Sequence, residues 1–160
     1  MSTAVEVTSR DAAHTRRLAA ALAELVRAGD LVLLVGDLGA GKTAFVQGLG
    51  TGLGVTNHIT SPTFALVQSY SGRLDLHHLD VYRLNAVNEA LDLGLAELLD
   101  DDAVVVIEWG DTIAPVLPHD YLEVSIGYRD DPAERDVRFH PVGTRWSARM
   151  RAVETVVGQC

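Results

Sequence analysis

Two five-residue runs, Leu31-Val32-Leu33-Leu34-Val35 and Ala103-Val104-Val105-Val106-Ile107, are apolar without interruption. Runs of that length, rich in β-branched residues, predict strands buried on both faces, as in a parallel sheet. Residues 4–7 predict a further short strand. Thr8 or Ser9 then offers an N-cap for a helix reaching about Ala28, along which Ala12, Leu18, Ala19, Leu22, Leu25 and Val26 recur at helical spacing. Gly29-Asp30 ends it. A second helix is expected from about Lys42 to Leu53, where Gly52-Leu53-Gly54 breaks it. Thr60-Ser61-Pro62-Thr63 reads as extended, since the residue before proline avoids the α region. Residues 64–70 and 74–82 predict a hairpin turning at Ser71-Gly72. Beyond it the pattern predicts a helix over 88–99, with Gly94 its weak point, and a short helix over 111–116. Strands over 121–128 and 137–141 and an amphipathic helix over 144–157 close the chain. The alternation of strands and helices predicts a three-layer α/β fold with a mainly parallel central sheet and antiparallel edge strands.

What joins the first apolar strand to its helix carries the chemistry. Gly36-Asp37-Leu38-Gly39-Ala40-Gly41-Lys42-Thr43 fits the pattern G-x-x-x-x-G-K-[ST] directly after that strand, which is the context a phosphate loop requires. Glycines let successive backbone N–H groups curl around phosphate oxygens with no Cβ in the way. The dipole of the following helix adds only about 0.3–1 kcal/mol. Lys42, as a point charge on the β and γ phosphates, and a metal must supply much of the remainder. The Thr43 hydroxyl is placed to ligate Mg²⁺. The pattern predicts a P-loop fold that binds a nucleoside triphosphate.

Glu108 ends the second apolar strand, as the acid of a Walker B strand does. There a carboxylate can hold Mg²⁺ directly or through water, or orient and deprotonate the attacking water. Asp80, near the end of the second hairpin strand, is the other candidate acid, and the two permit a division of labour between metal and water. His77 and His78 beside Asp80 raise a transition-metal reading. Adjacent strand residues point to opposite faces, however, so satisfied or half-buried strand histidines are the better account.

At 160 residues the chain suits a single domain over 1–160, large enough to bury about 70% of its unfolded surface. Lysine and arginine number 13 against 22 acids, a formal charge of −9 that disfavours unaided nucleic-acid binding. Cys160 is the only cysteine, which excludes an internal disulfide framework and fits a reducing cytoplasm. No run approaches the ~18 apolar residues of a membrane helix. There is no internal repeat or low-complexity tract.

Four motifs in order, the loop at 36–43, Thr60-Ser61-Pro62-Thr63-Phe64, His78-Leu79-Asp80-Val81-Tyr82-Arg83 and Glu108-Trp109-Gly110, resemble the TsaE family, formerly YjeE. The resemblance implies a bacterial P-loop ATPase needed for threonylcarbamoyladenosine at position 37 of tRNAs that read codons beginning with A. It implies that ATP hydrolysis resets a TsaD–TsaB heterodimer, with TsaD holding the transferase site and the tRNA contacted mainly through that complex. Carried over by motif, Leu38, Gly39, Ala40, Gly41, Lys42, Thr43 and Ala44 bind the nucleotide, Thr43 and Glu108 hold Mg²⁺, and Lys42, Asp80 and Glu108 are the catalytic set. Residues 61–64 would act as a switch segment.

Rival readings are a small-molecule or nucleoside kinase, which lacks support from any compact basic lid, and a nucleotide-dependent interaction switch. Trp109 is either a packing residue or a contact to nucleotide or partner. Arg83 is a charge-stabilising finger or a surface ion pair. Arg145, Arg149 and Arg151 give the last helix a positive face toward tRNA or an acidic partner, or simply toward solvent.

Overall fold

The two apolar runs pair with each other at the centre of one sheet. The computed structural model describes residues 4–37, 39–60, 67–80, 95–100, 102–108 and 117–160. Its elements are β1 (Val5–Ser9), α1 (Ala12–Ala23), β2 (Leu31–Gly36), α2 (Lys42–Gly52), β3 (Val67–Tyr70), β4 (Asp75–Asp80), α3 (Leu95–Asp100), β5 (Ala103–Glu108), β6 (Tyr121–Tyr128) and β7 (Arg135–Val142). A 3₁₀ turn, Ser147–Arg149, leads into α4 (Met150–Gly158). Strand order is β1-β7-β6-β2-β5-β4-β3. The four central strands β6, β2, β5 and β4 are parallel, whereas β7 runs antiparallel to β1 and β6, and β3 antiparallel to β4.

Period-two alternation along the buried strands feeds two cores. Val32 and Leu34 of β2, with Val104, Val106 and Val124, pack beneath α1, α2 and α4 through Leu18, Leu22, Phe45, Leu49 and Val153. Leu31 and Leu33, with Leu79, Val105 and Ile107, face the other way and meet Leu98 and Leu99 of α3. The sheet is therefore the middle of three layers, as the sequence pattern predicts, with antiparallel pairs at both edges.

Element ends depart from expectation for identifiable reasons. Ser9 stays in β1 opposite Arg135, and its hydroxyl bonds that of Thr15 and the Asp11 carbonyl, so it does not cap α1. The cap is Asp11, whose carboxylate accepts the His14 N–H at 2.7 Å. Helix α1 also stops at Ala23, short of Ala28, because the Asp30 carboxylate takes the Arg27 N–H at 2.7 Å and holds that segment as a turn. Strand β7 is longer than the predicted 137–141, since cross-strand pairing with β6 continues from Arg135 to Val142. The closing helix begins with the 3₁₀ turn rather than at Thr144. The predicted strand residues 64–66 and 81–82, helix residues 88–94 and the short helix over 111–116 lie outside the described residues.

Candidate nucleotide site

Strand β2 delivers the glycine-rich loop to the carboxyl ends of the parallel strands, where open α/β sheets bind their ligands. Gly39 and Gly41 adopt φ of 79° and 115°, a left-handed backbone that side chains with a Cβ resist. A Cβ on Gly36 would run into the Ile126 carbonyl of neighbouring β6. Gly41 is also the N-cap of α2, and no side chain caps the N–H groups of that helix's first turn. Ala40 and Ala44 are buried, and Thr43 follows Lys42 in the first turn. Leu38 lies outside the described residues.

Lys42 is buried at 5% exposure, with its ammonium donating to the Gly36 carbonyl at 2.8 Å and the Asp37 carbonyl at 2.9 Å. Burial holds its pKa below the ordinary lysine value, while the charges of Glu108, Asp80 and Asp37 act in the opposite direction. The ammonium therefore sits in the field of the loop's own acid and of both acids singled out in the sequence.

Those two acids are neighbours by register. Asp80 of β4 pairs with Glu108 of β5, and Glu108 in turn with Leu34 of β2. Leu34, Val106, Val104 and Leu76 belong to the core beneath α2, so the alternation puts Asp80 and Glu108 on the same face as Lys42. Glu108 is buried, and Asp80 is half-buried.

A third side chain joins them. His78 is fully buried two residues before Asp80, hence on the same strand face, and its Nε2 lies 2.5 Å from Glu108 Oε2. An ionised carboxylate only accepts, so in that state Nε2–H donates. His78 Nδ1 is buried with no hydrogen-bond partner. His77 turns to the opposite face and meets the Ser69 hydroxyl at 2.8 Å through Nδ1. The two imidazoles do not converge, and no cluster of three or more His, Cys, Asp or Glu suited to a metal exists among the described residues. In the sequence, His78 reads as a satisfied or half-buried strand histidine and is not linked to Glu108. The signal was its i, i+2 spacing from Asp80, which fixes a shared strand face.

Other singled-out residues part company with the site. Arg83, Trp109 and residues 61–64 lie outside the described residues. Arg145 and Arg149 do not form an open basic face. They bind the carboxylate of Asp30 at the amino end of β2, with Arg149 Nη1 at 2.5 Å from Oδ2 and Arg145 Nη1 at 3.3 Å from Oδ1. Arg151 is exposed.

The donor set suits a hard cation beside a polyphosphate. Carboxylate and hydroxyl oxygens are the ligands Mg²⁺ takes, usually one or two of them with substrate phosphate. The left-handed backbone of Gly39 and Gly41 is the conformation that lets successive N–H groups face a phosphate.

A glycine-rich loop at the end of a central parallel strand, followed by a helix and flanked by an acid-terminated strand, places the chain among three-layer α/β proteins with a mainly parallel sheet. Within that class the chain belongs to the TsaE family: residues 9–137 match the family model described as threonylcarbamoyl adenosine biosynthesis protein TsaE. It is 45% identical over 118 residues to the tRNA threonylcarbamoyladenosine biosynthesis protein TsaE of Treponema pallidum, covering 74% of this chain and 87% of that protein. It is 41% identical to the protein of the same name from Bacillus subtilis, covering 83% of each. The crystal structure of Bacillus subtilis YdiB is similar over 97% of both chains, with a TM-score of 0.85 and 32% identity.

Proposed function

We propose that this chain is the Mg²⁺-dependent ATPase of tRNA threonylcarbamoyladenosine biosynthesis, acting in the cytoplasm on a TsaD–TsaB complex that holds the tRNA. Family membership supports the pathway. The observation that carries the ATPase reading is the convergence of Lys42, Asp80 and Glu108 on one side of the glycine loop. That no helix among the described residues is long and apolar enough to cross a membrane accords with the reading.

In this account the loop from Gly36 to Gly41 cradles the phosphates through backbone N–H groups, and residues 38–44 form the nucleotide cradle. Bound phosphate offers the Lys42 ammonium phosphate oxygens in place of the Gly36 and Asp37 carbonyls. Thr43 and Glu108 are the oxygen ligands suited to Mg²⁺, which when bound neutralises charge on the β and γ phosphates. Asp80, the less buried acid, orients the attacking water. His78 fixes the Glu108 carboxylate through one of its oxygens. The net charge of −9 accords with leaving tRNA contact to the partners.

Hydrolysis then resets the transferase assembly between turnovers. Asp80→Ala is expected to retain ATP binding yet halt after about one modified tRNA per complex. The check is modified tRNA counted against TsaD–TsaB complexes over time. Normal repeated turnover by this variant would reduce the protein to a nucleotide-dependent switch.

A further inference from the structure

The acids lie on only one side of the phosphate loop. Strands β5 and β4 flank β2 on that side, so a γ phosphate drawn to Asp80 and Glu108 leaves the rest of the nucleotide to exit over β6 and β7. At the exit stands Tyr128, the last residue of β6 and, at 50% exposure, the one large hydrophobic side chain exposed among the described residues. It lies two residues beyond Ile126, which pairs with Gly36, and so shares the strand face of the loop and α2. A Cβ placed on Gly39 would come within 3.1 Å of the Tyr128 hydroxyl, so the ring borders the loop itself.

Arg135 holds this ring in place. It is the cross-strand partner of Tyr128, and its guanidinium lies 4.7 Å from the ring centroid. The same guanidinium donates through Nε to the carbonyl of Ala40 at 3.0 Å, and through Nη1 to the carbonyls of Pro132 and Glu134. One arginine thus ties the β6–β7 turn, the tyrosine and the phosphate loop together. The depression beyond the ring, about 320 Å³, is bordered by Asp130, Asp131, Glu134 and Asp136 and by Arg129, which pairs with Glu134 at 3.4 Å and with Asp136 at 2.5 Å. Four acids against one arginine leave an acidic excess that disfavours phosphate and can accept from hydroxyl and amino groups, which suits the nucleoside end of a nucleotide.

We propose that Tyr128, buttressed by Arg135, is the stacking platform for the base of the bound nucleotide, a site that rests on the nucleotide reading above. Stacking on an aromatic face tolerates any base, so this platform contributes affinity for a nucleoside over a bare polyphosphate. Arg135 is a positioning residue in this arrangement.

The test is equilibrium titration of wild type, Tyr128→Ala and Tyr128→Phe with Mg-ATP and, separately, Mg-tripolyphosphate. Tyr128→Ala is expected to weaken ATP about tenfold, the scale of one base–aromatic stack, while tripolyphosphate affinity stays within about twofold. Tyr128→Phe keeps the ring and is expected to restore ATP binding. Equal weakening of both ligands, or unchanged ATP affinity in Tyr128→Ala, overturns the platform. A wild-type chain that binds neither ligand overturns the nucleotide reading beneath it.

Discussion

Strand β2 carries a buried charged cluster at each end, and the two are built on opposite terms. At the amino end, the Asp30 carboxylate is fully buried and both oxygens are taken. Arg149 grips it with Nη1 on Oδ2 at 2.5 Å and Nη2 on Oδ1 at 3.2 Å, and the Arg27 N–H adds a bond of 2.7 Å. Arg149 also lies over the buried Trp146 ring at 4.5 Å, locking the start of α4 to the sheet. At the carboxyl end, Lys42 leans on two backbone carbonyls, Glu108 shares one oxygen with His78, and His78 Nδ1 is left unpaired. Orphaned buried atoms occur at both ends, Trp146 Nε1 at the first and His78 Nδ1 at the second, so the contrast lies in how the carboxylates are held, by a two-point arginine grip at Asp30 and by a single imidazole contact at Glu108. The amino end staples the fold. The carboxyl end is the one the proposed function assigns to a ligand.

The sharpest break in that comparison comes from Arg149→Ala. Removing one partner of a buried pair costs about 3–5 kcal/mol, and since Asp30 would keep the Arg27 N–H and the longer Arg145 contact at 3.3 Å, the loss should fall toward the lower end of that range. Denaturant unfolding should show that loss, while the folded fraction binds Mg-ATP with wild-type affinity. A fall in nucleotide affinity without a fall in stability would reverse the roles assigned to the two ends.

A smaller effect separates positioning from packing within the carboxyl end. His78→Ala frees Glu108 to turn, and loss of such an outer-shell partner typically costs about 10–100-fold in metal affinity or activity. The Mg²⁺ concentration giving half-maximal ATP binding is expected to rise on that scale. His78→Gln, which can present an N–H near the position of Nε2, should recover part of the shift. A role confined to filling space would leave the Mg²⁺ dependence unmoved in both variants.

Much of this was legible in the chain, for reasons that are local. The central strands show as β-branched apolar runs because burial on both faces leaves no polar alternation to confuse them. The phosphate loop shows because its glycines and Lys42 are demanded at fixed offsets. Asp80 and Glu108 end adjacent strands, and their convergence needed only a parallel pairing. The Asp30 cluster was not legible, because Arg145 and Arg149 are brought to it from 115 and 119 residues away. Spacing on a helix face says only that such arginines share a side. The Ser9 cap failed similarly: β1 extends to Ser9 through pairing with β7, a contact more than a hundred residues distant in sequence. Tyr128 and Arg135 meet for the same reason, through a hairpin register the turn sequence does not declare.

The most direct test of the comparison is Lys42→Ala, measured for both melting temperature and equilibrium Mg-ATP affinity. Burial disfavours the Lys42 charge while Glu108, Asp80 and Asp37 favour it, so its removal should cost the fold less than breaking the Asp30 cluster does. The account expects affinity to fall more than about tenfold, or 1.4 kcal/mol, with the melting temperature lowered less than in Arg149→Ala. A melting temperature lowered as far as that of Arg149→Ala, with ATP affinity intact, would show Lys42 to be a structural staple and contradict it.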